Sequence, residues 1–385
     1  MKRFIVACAA FAVVIAATTS LQSVLKHGHS AVALAATSSP CAFPTTATGS
    51  PEQTAWLLFI AANCQANQKQ VVWETWVEQT QLYAPPSSTQ LTSPKNKRRR
   101  LHGSPLAAAQ QRVRKHLHPQ LFAPNTGCNT MNGRPPNVVN ATICEEVHID
   151  PVAAGLITTN GYEHRSAQAA AARKGVDIEF PAPAVEVKVD WIPATDFATP
   201  FTCANPPAGI HVESIDGVCY AMAGMHIISK LDKNWIWATF EPQSMLTNPL
   251  RCITFGSCND SFGSLPAKSS GGQAGFTKPT QELAALMALA HLAPEFSNYR
   301  LDGAQVAFTT PSGTPTYLGN SVIEGENVGM RHNQASCITC HSYSSIKTDG
   351  TDGITLLPAA PVGPQYQVPV GWIGRDFVWS LLLAH

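Results

Sequence analysis

Residues 184–191 read Ala184-Val185-Glu186-Val187-Lys188-Val189-Asp190-Trp191. Apolar and charged side chains alternate with a period of two. In an extended chain this puts Val185, Val187, Val189 and Trp191 on one face and Glu186, Lys188 and Asp190 on the other. The expectation is a half-buried strand with its charges in solvent. Two further extended runs follow, Val218 to Leu231 and Asn234 to Glu241, separated by Asp232-Lys233, a pair suited to a hairpin turn. Neighbouring strands of this kind favour an antiparallel sheet. A fourth strand is expected over Ala304 to Thr309, ended by Pro311-Ser312-Gly313.

Helices flank this core. Ser50-Pro51-Glu52-Gln53 carries start signals: a capping serine, proline in the first turn, and glutamine in the third helical position. The run Ala55 to Ile60 behind it reads as a buried helix face, and Val71 to Val77 as a second short amphipathic element whose tryptophans belong to the core. Thr280 caps a further helix, Gln281 to about Leu292. The fold class expected is α+β, an antiparallel sheet core with peripheral helices.

The N-terminus has a basic start, Lys2-Arg3, an apolar run from Phe4 to Ala17, and Ala33-Leu34-Ala35 as a small-residue cleavage site. Residues 1–35 are expected to be a signal peptide, with a cut near Ala17 or Ser20 as the alternative. The apolar run is short for a membrane span, so no stable span is expected in the mature chain. The remaining organisation is expected to be a helical region at 41–84, a basic Pro/Ser-rich linker at 85–120, a β-rich core at 121–280 and a C-terminal region at 281–385. Loss of residues 1–35 lowers Lys plus Arg from 26 to 23 against 25 Asp plus Glu, a net charge of about −2. That balance argues against nucleic-acid binding. The linker's cluster of Lys95, Lys97, Arg98, Arg99 and Arg100 reads as a solvated loop, or as a docking patch for an acidic redox partner.

Of the 11 cysteines, Cys8 lies in the apolar leader. Cys337 and Cys340 stand in Cys337-Ile338-Thr339-Cys340-His341. Cys41, Cys64, Cys128, Cys144, Cys203, Cys219, Cys252 and Cys258 remain, and an even number in an exported chain points to disulfides. Nearest-neighbour pairing, 41–64, 128–144, 203–219 and 252–258, gives loops of plausible size.

Cys-x-x-Cys-His is the spacing of a c-type haem attachment site. Each thiol can form a thioether with one haem vinyl group, and the histidine supplies the proximal iron ligand. With 11 Cys and 13 His in 385 residues, chance predicts roughly 0.01 such pentapeptides. Two other readings are half of a zinc site, which needs a second ligand pair at short spacing, and a thioredoxin-like redox pair in a parallel α/β unit. Neither has its context here. The expected cofactor is therefore one covalent haem c on Cys337 and Cys340, with His341 on the iron.

The chain resembles a group of exported bacterial mono-haem proteins of the cytochrome c family that carry the motif near the C-terminus. The likeness runs through Ala55 to Ala61, Val72 to Trp76, Glu186 to Trp191, Gly224 to Lys230, Trp237 to Glu241, Leu318 to Glu324 and Ser336 to His341. It implies a haem-binding β-rich architecture. Many such proteins have histidine after the Thr-Phe-Glu piece; this chain has Pro242 there, so no ligand role is carried over.

The motif's position excludes the standard small cytochrome c fold, in which a methionine ligand follows the motif. No methionine follows His341, and the later histidine is His385. A sixth iron ligand comes from upstream, from His385, or not at all. His226 is the first candidate and Met330 the second; Met225, His332 and His211 are also considered. Phe377 and Trp379 could cover a haem face or simply pack the core. Two functional classes follow. An electron carrier has both axial positions filled. A haem-dependent oxidoreductase of peroxidase type has an open iron site with an acid/base group, for which His211, His226 or Glu241 could serve. A partner-binding protein stapled by haem is a third reading. The expected location is periplasmic or secreted, with an unidentified redox partner protein.

Overall fold

The computed structural model describes residues 39–84, 128–140, 142–243, 260–265 and 278–385. The expected leader, the basic linker and the Cys252–Cys258 pair lie outside the described residues. The architecture is α+β, centred on one antiparallel sheet.

The first helix, α1 (Pro51–Asn63), starts as its sequence dictates: Ser50 Oγ accepts a hydrogen bond from the Gln53 amide, and proline occupies the first turn. The 71–77 segment is a single 3-10 turn, Trp73–Thr75, followed by the short edge strand β1 (Val77–Glu78) and the one-turn helix α2 (Gln79–Leu82). Then come β2 (Asn129–Thr130), β3 (Thr142–Ile149), α3 (Pro151–Asn160), α4 (Arg165–Lys174) and β4 (Val185–Pro193). Strands β5 (Val212–Ile215), β6 (Val218–Ser229) and β7 (Ile236–Pro242) follow. A small hairpin, β8 (Ser264–Leu265) with β9 (Lys278–Pro279), precedes α5 (Gln281–Leu289), and β10 (Tyr299–Gln305) completes the sheet. The fourth expected strand thus begins five residues earlier than Ala304. Its polar residues Arg300 and Asp302 hide the pattern, because they face a buried polar layer.

The sheet order is β1-β3-β4-β6-β7-β10, with β2 beside β3 and β5 beside β6. Every pair is antiparallel. Between Asp190/Trp191 on β4 and Gly224/Met222 on β6 the register shifts by one, leaving Ala223 as a bulge. Without such a shift, every side chain beyond it would change face.

One face of the sheet packs against α1. Val185, Val187, Val189, Trp191, Met225, Ile227 and Phe240 join Trp56, Leu58, Phe59 and Ile60 in a single apolar core. Each fully buried side chain of this size contributes about 1.5–3 kcal/mol. Cys41–Cys64 fastens the start of the described chain to the end of α1, Cys128–Cys144 ties β3 to the preceding segment, and Cys203–Cys219 closes the loop before β6.

The opposite face corrects a sequence expectation. Glu186 and Asp190 do not face solvent; they are 7 % and 0 % exposed. The chain after β10 folds back over them. This covering layer holds a π-helical stretch at Ser321–Asn327, the one-turn helix α6 (Cys337–His341), the hairpin β11 (Ser345–Lys347) with β12 (Trp372–Gly374), and a closing 3-10 turn at Ser380–Leu383. Buried Arg375 anchors it, donating to Asp352 Oδ1 at 2.8 Å and to Gln168 Oε1 at 3.2 Å. Among the described residues no helix is long and apolar enough to cross a membrane.

Candidate functional site

Between the polar sheet face and the covering layer lies a cavity of about 1200 Å³ including its open mouth. Cys337, Cys340 and His341 line it, and so do His226 and Met330. The structure therefore brings together all five expected site residues, from α6, the loop that leads into it, and β6 far upstream.

Local folding explains how α6 presents its three side chains. One helical turn places Cys337, Cys340 and His341 on adjoining positions of one face. Ser336 does not cap the turn with its own side chain. Gln305, at the end of β10, accepts from the Ile338 amide at 3.0 Å and donates to Ser336 Oγ at 2.9 Å. Thr339 Oγ1 donates to Gly363 O at 2.8 Å. The turn is thus hung from the sheet on one side and from the C-terminal segment on the other.

The His341 ring is oriented by the backbone. Its Nδ1 lies 2.7 Å from the Phe377 carbonyl. A carbonyl only accepts, so the proton sits on Nδ1 and Nε2 keeps its lone pair. Burial pushes the imidazole pKa down to about 3, with the Phe377 contact acting in the other direction. A neutral imidazole whose other nitrogen is hydrogen-bonded is the form in which histidine binds a metal. Trp237 packs on the ring at 4.4 Å between centroids, and Trp379 at 6.3 Å. Burial drives the Cys337 thiol pKa well above its usual range. Redox-active Cys-x-x-Cys thiols and zinc thiolates have the opposite perturbation. Trp379 Nε1, in the cavity wall, is buried and has no hydrogen-bond partner, a donor suited to an acidic group on a ligand. The residues present thus fit a covalently held haem.

The wall across from α6 is charged. His226 Nε2 stands 3.4 Å from Glu324 Oε1, yet makes no well-aligned hydrogen bond. Lys188 Nζ meets Glu145 Oε2 at 2.9 Å. Burial by itself would strip the Lys188 proton, but Glu145, Asp190 and Glu324 around it hold the ammonium charged. Burial likewise opposes charge on Glu324, and is outweighed by His226, Lys188 and the Asn320 amide, which bring its carboxyl down to about 2. Glu186 is pushed up to about 7 by burial, despite a 2.8 Å hydrogen bond from Ser380 Oγ. Asp190, fully buried, is also raised by burial, against the pull of Lys188.

Glu324 reaches this wall through a loop whose ends meet. Leu318 and Ser336 form a parallel bridge, so residues 319–335 leave and return at the foot of α6. Asn320 fixes the loop to the sheet. Its Nδ2 donates to Thr239 Oγ1 at 2.9 Å, and its Oδ1 accepts from the Val322 and Ile323 amides. Glu241 accepts from the Ser321 amide at 2.5 Å and from Ser321 Oγ at 2.7 Å. The same loop carries Met330 into the cavity wall, buried against Val328 and Ala335.

Other sequence candidates fall elsewhere. Met225 neighbours His226 but points to the opposite face, into the α1 core, because adjacent strand residues alternate. His211 is buried beside Phe296 and Trp191, on the α1 side of the sheet. Glu241 does not line the cavity; it holds Ser321. The His385 ring packs on His164. The side chain of His332 lies outside the described residues. Phe377 contributes its carbonyl rather than a covering ring, whereas Trp379 lines the cavity as one of the two roles expected for it. Sequence reading missed Glu324, Lys188 and Glu145 as site residues. The signal for Lys188 was present in the alternation of β4, but only a covered sheet turns that face inward.

Comparison with protein-family models, with curated proteins and with solved structures gave no match for this chain.

Proposed function

We propose that this protein is an exported c-type cytochrome that holds one covalent haem through Cys337 and Cys340 and acts in electron transfer. The observation that carries the reading is the His341 imidazole: neutral, its Nδ1–H committed to Phe377 O, its Nε2 facing a cavity that also receives both thiols. The three disulfides support a location in an oxidising compartment, periplasmic or secreted.

Bound haem would supply a one-electron store whose potential follows from axial ligation and burial. The chain's own residues set those conditions. Phe377 O orients His341 and raises its basicity. Ile228, Trp237, Leu318, Ile323 and Leu382 give the cavity an apolar lining. Lys188, held as a cation among Glu145, Asp190 and Glu324, offsets part of the wall's negative charge. His226, which lines the same cavity, is the first candidate for the sixth ligand and Met330 the second.

A second reading, a haem-dependent oxidoreductase, has its own support. The His226–Glu324 pair is a half-buried acid/base couple next to a charged lysine, an arrangement that occurs at catalytic sites. In that case His226 would exchange a proton with substrate instead of binding iron.

The deciding experiment is an optical spectrum of the exported protein, oxidised and reduced, with and without carbon monoxide. A six-coordinate low-spin spectrum indifferent to carbon monoxide supports the carrier. A high-spin spectrum that binds carbon monoxide supports the oxidoreductase, with peroxide as the first substrate. Absence of covalent haem overturns both.

A further inference from the structure

On the α1 side of the sheet, away from the cavity, three carboxylates gather around one buried imidazole. His211 and Glu213 stand two residues apart at the start of β5, so their side chains share a face. Glu74 arrives from the 3-10 turn after α1. Ligand atoms of Glu74, His211 and Glu213 all lie within 4.8 Å of one another. His211 Nε2 is 3.6 Å from Glu213 Oε1, and its Nδ1 is 3.7 Å from Glu295 Oε1.

The independent observation is the ring itself. The His211 side chain is 8 % exposed, and its Nε2, directed at Glu213, has no hydrogen-bond partner. A buried ring nitrogen in that state is costly unless something binds it. The ring cannot turn away easily: Phe296 stacks on it at 4.7 Å, and the His211 amide donates to Tyr299 Oη at 3.2 Å. Ligands about 2.0–2.2 Å from a tetrahedral ion stand roughly 3.3–3.6 Å apart, which is the His211–Glu213 separation.

We propose that Glu74, His211 and Glu213 bind one divalent transition-metal ion of the zinc type, with Glu295 holding the far side of the His211 ring. One imidazole and two carboxylates suit such an ion by ligand softness. A carboxylate on the other ring nitrogen is the usual support for a metal-bound histidine. Glu213 and Glu295 are partly exposed and open a path from solvent. The ion would pin the segment after α1 to the edge strand β5, adding a cross-link to those made by the disulfides.

The test uses the full exported protein, stripped with a chelator, dialysed, and titrated with Zn²⁺ alone by calorimetry, with thermal unfolding in parallel. The expected result is one Zn²⁺ per chain beyond the uptake of Glu213→Gln, and a rise in unfolding temperature that this variant lacks. Glu295→Gln should bind Zn²⁺ about 10- to 100-fold more weakly. Equal Zn²⁺ uptake by wild type and Glu213→Gln overturns the proposal, as does no uptake by wild type. Where Glu213→Gln unfolds before titration, Glu295→Gln decides: weakened binding supports the site and unchanged affinity removes it.

Discussion

The Phe377 carbonyl that accepts from His341 Nδ1 belongs to a residue with φ of 68°, directly after Asp376 at 49°. Two successive non-glycine residues in the left-handed region are uncommon and together cost on the order of 2 kcal/mol or more. The turn is held in place by Asp376, which accepts from the Phe180 amide at 2.8 Å and from Lys230 Nζ at 2.5 Å. Backbone strain is therefore stored where the imidazole of the Cys-x-x-Cys-His motif is aimed.

Asp376→Ala should release that turn. Losing two hydrogen bonds, one of them charged, is expected to lower stability by about 2–4 kcal/mol. Denaturant unfolding measures the loss. If the proposed haem is bound, its absorption bands should shift once Phe377 O no longer orients His341, whereas a purely structural role for Asp376 would leave them unmoved.

His226→Ala tests the wall opposite the motif. For an electron carrier ligated by His226, the variant should turn from low-spin to high-spin and acquire carbon monoxide binding. A variant that stays low-spin points to Met330 instead, and Met330→Ala should then produce the change.

Gly224 lies on the cavity side of β6, where a Cβ would sit 2.9 Å from both Asn320 Nδ2 and Ile323 Cδ1. Gly224→Ala should push the π-helical stretch off the sheet and cost about 1–3 kcal/mol by overpacking. Equilibrium unfolding should show the loss. The distance between His226 and Glu324 should grow with it, visible as a changed carbon monoxide affinity.

Two carboxylates give opposite pH signatures. Glu186 has its folded pKa raised to about 7 from an ordinary 4.5, so the native state binds a proton that the unfolded state releases. Its protonation supports folding below about pH 4.5, and that stability is lost as pH rises towards 7. Glu186→Gln should remove a fall of roughly 2–3 kcal/mol across this window. Glu324 is lowered to about 2, so its contribution is present above pH 4.5 and lost as pH falls towards 2. Glu324→Gln should flatten only the acid limb. Unfolding curves between pH 2 and 8 separate the two; a Glu186→Gln profile parallel to wild type would remove the first assignment.

Much of the sheet was legible because strand periodicity survives whatever covers it. Val185 to Trp191 announces its apolar face by simple alternation, and Ser50-Pro51 marks a helix start by local hydrogen bonding alone. The three described disulfides join the nearest-neighbour cysteines expected from spacing, since short loops close at low entropic cost. Other features were hidden. The strand at Tyr299–Gln305 carries Arg300, Asp302 and Gly303, which read as loop residues; in the fold Arg300 and Gly303 pair with Glu241 and Thr239 on β7, and Asp302 falls where the register shifts. Glu324 looks like an ordinary acid in a lead-in segment; only the Leu318–Ser336 bridge folds that segment over His226.

The sequence by itself determined the chemistry that can be proposed: Cys337, Cys340 and His341 are neighbours along the chain, and their spacing is set by covalent geometry and one turn of helix. It also determined which face of β4 is apolar. Only the tertiary structure decided that the charged face is buried too, and that Lys188, His226, Glu324 and Met330 share a cavity with the motif. Those residues are 11 to 153 positions from His341, and no local periodicity links them. What brings them together is the return of the C-terminal segment across the sheet, held by Asn320, Gln305 and Arg375 through side-chain hydrogen bonds that no periodicity encodes.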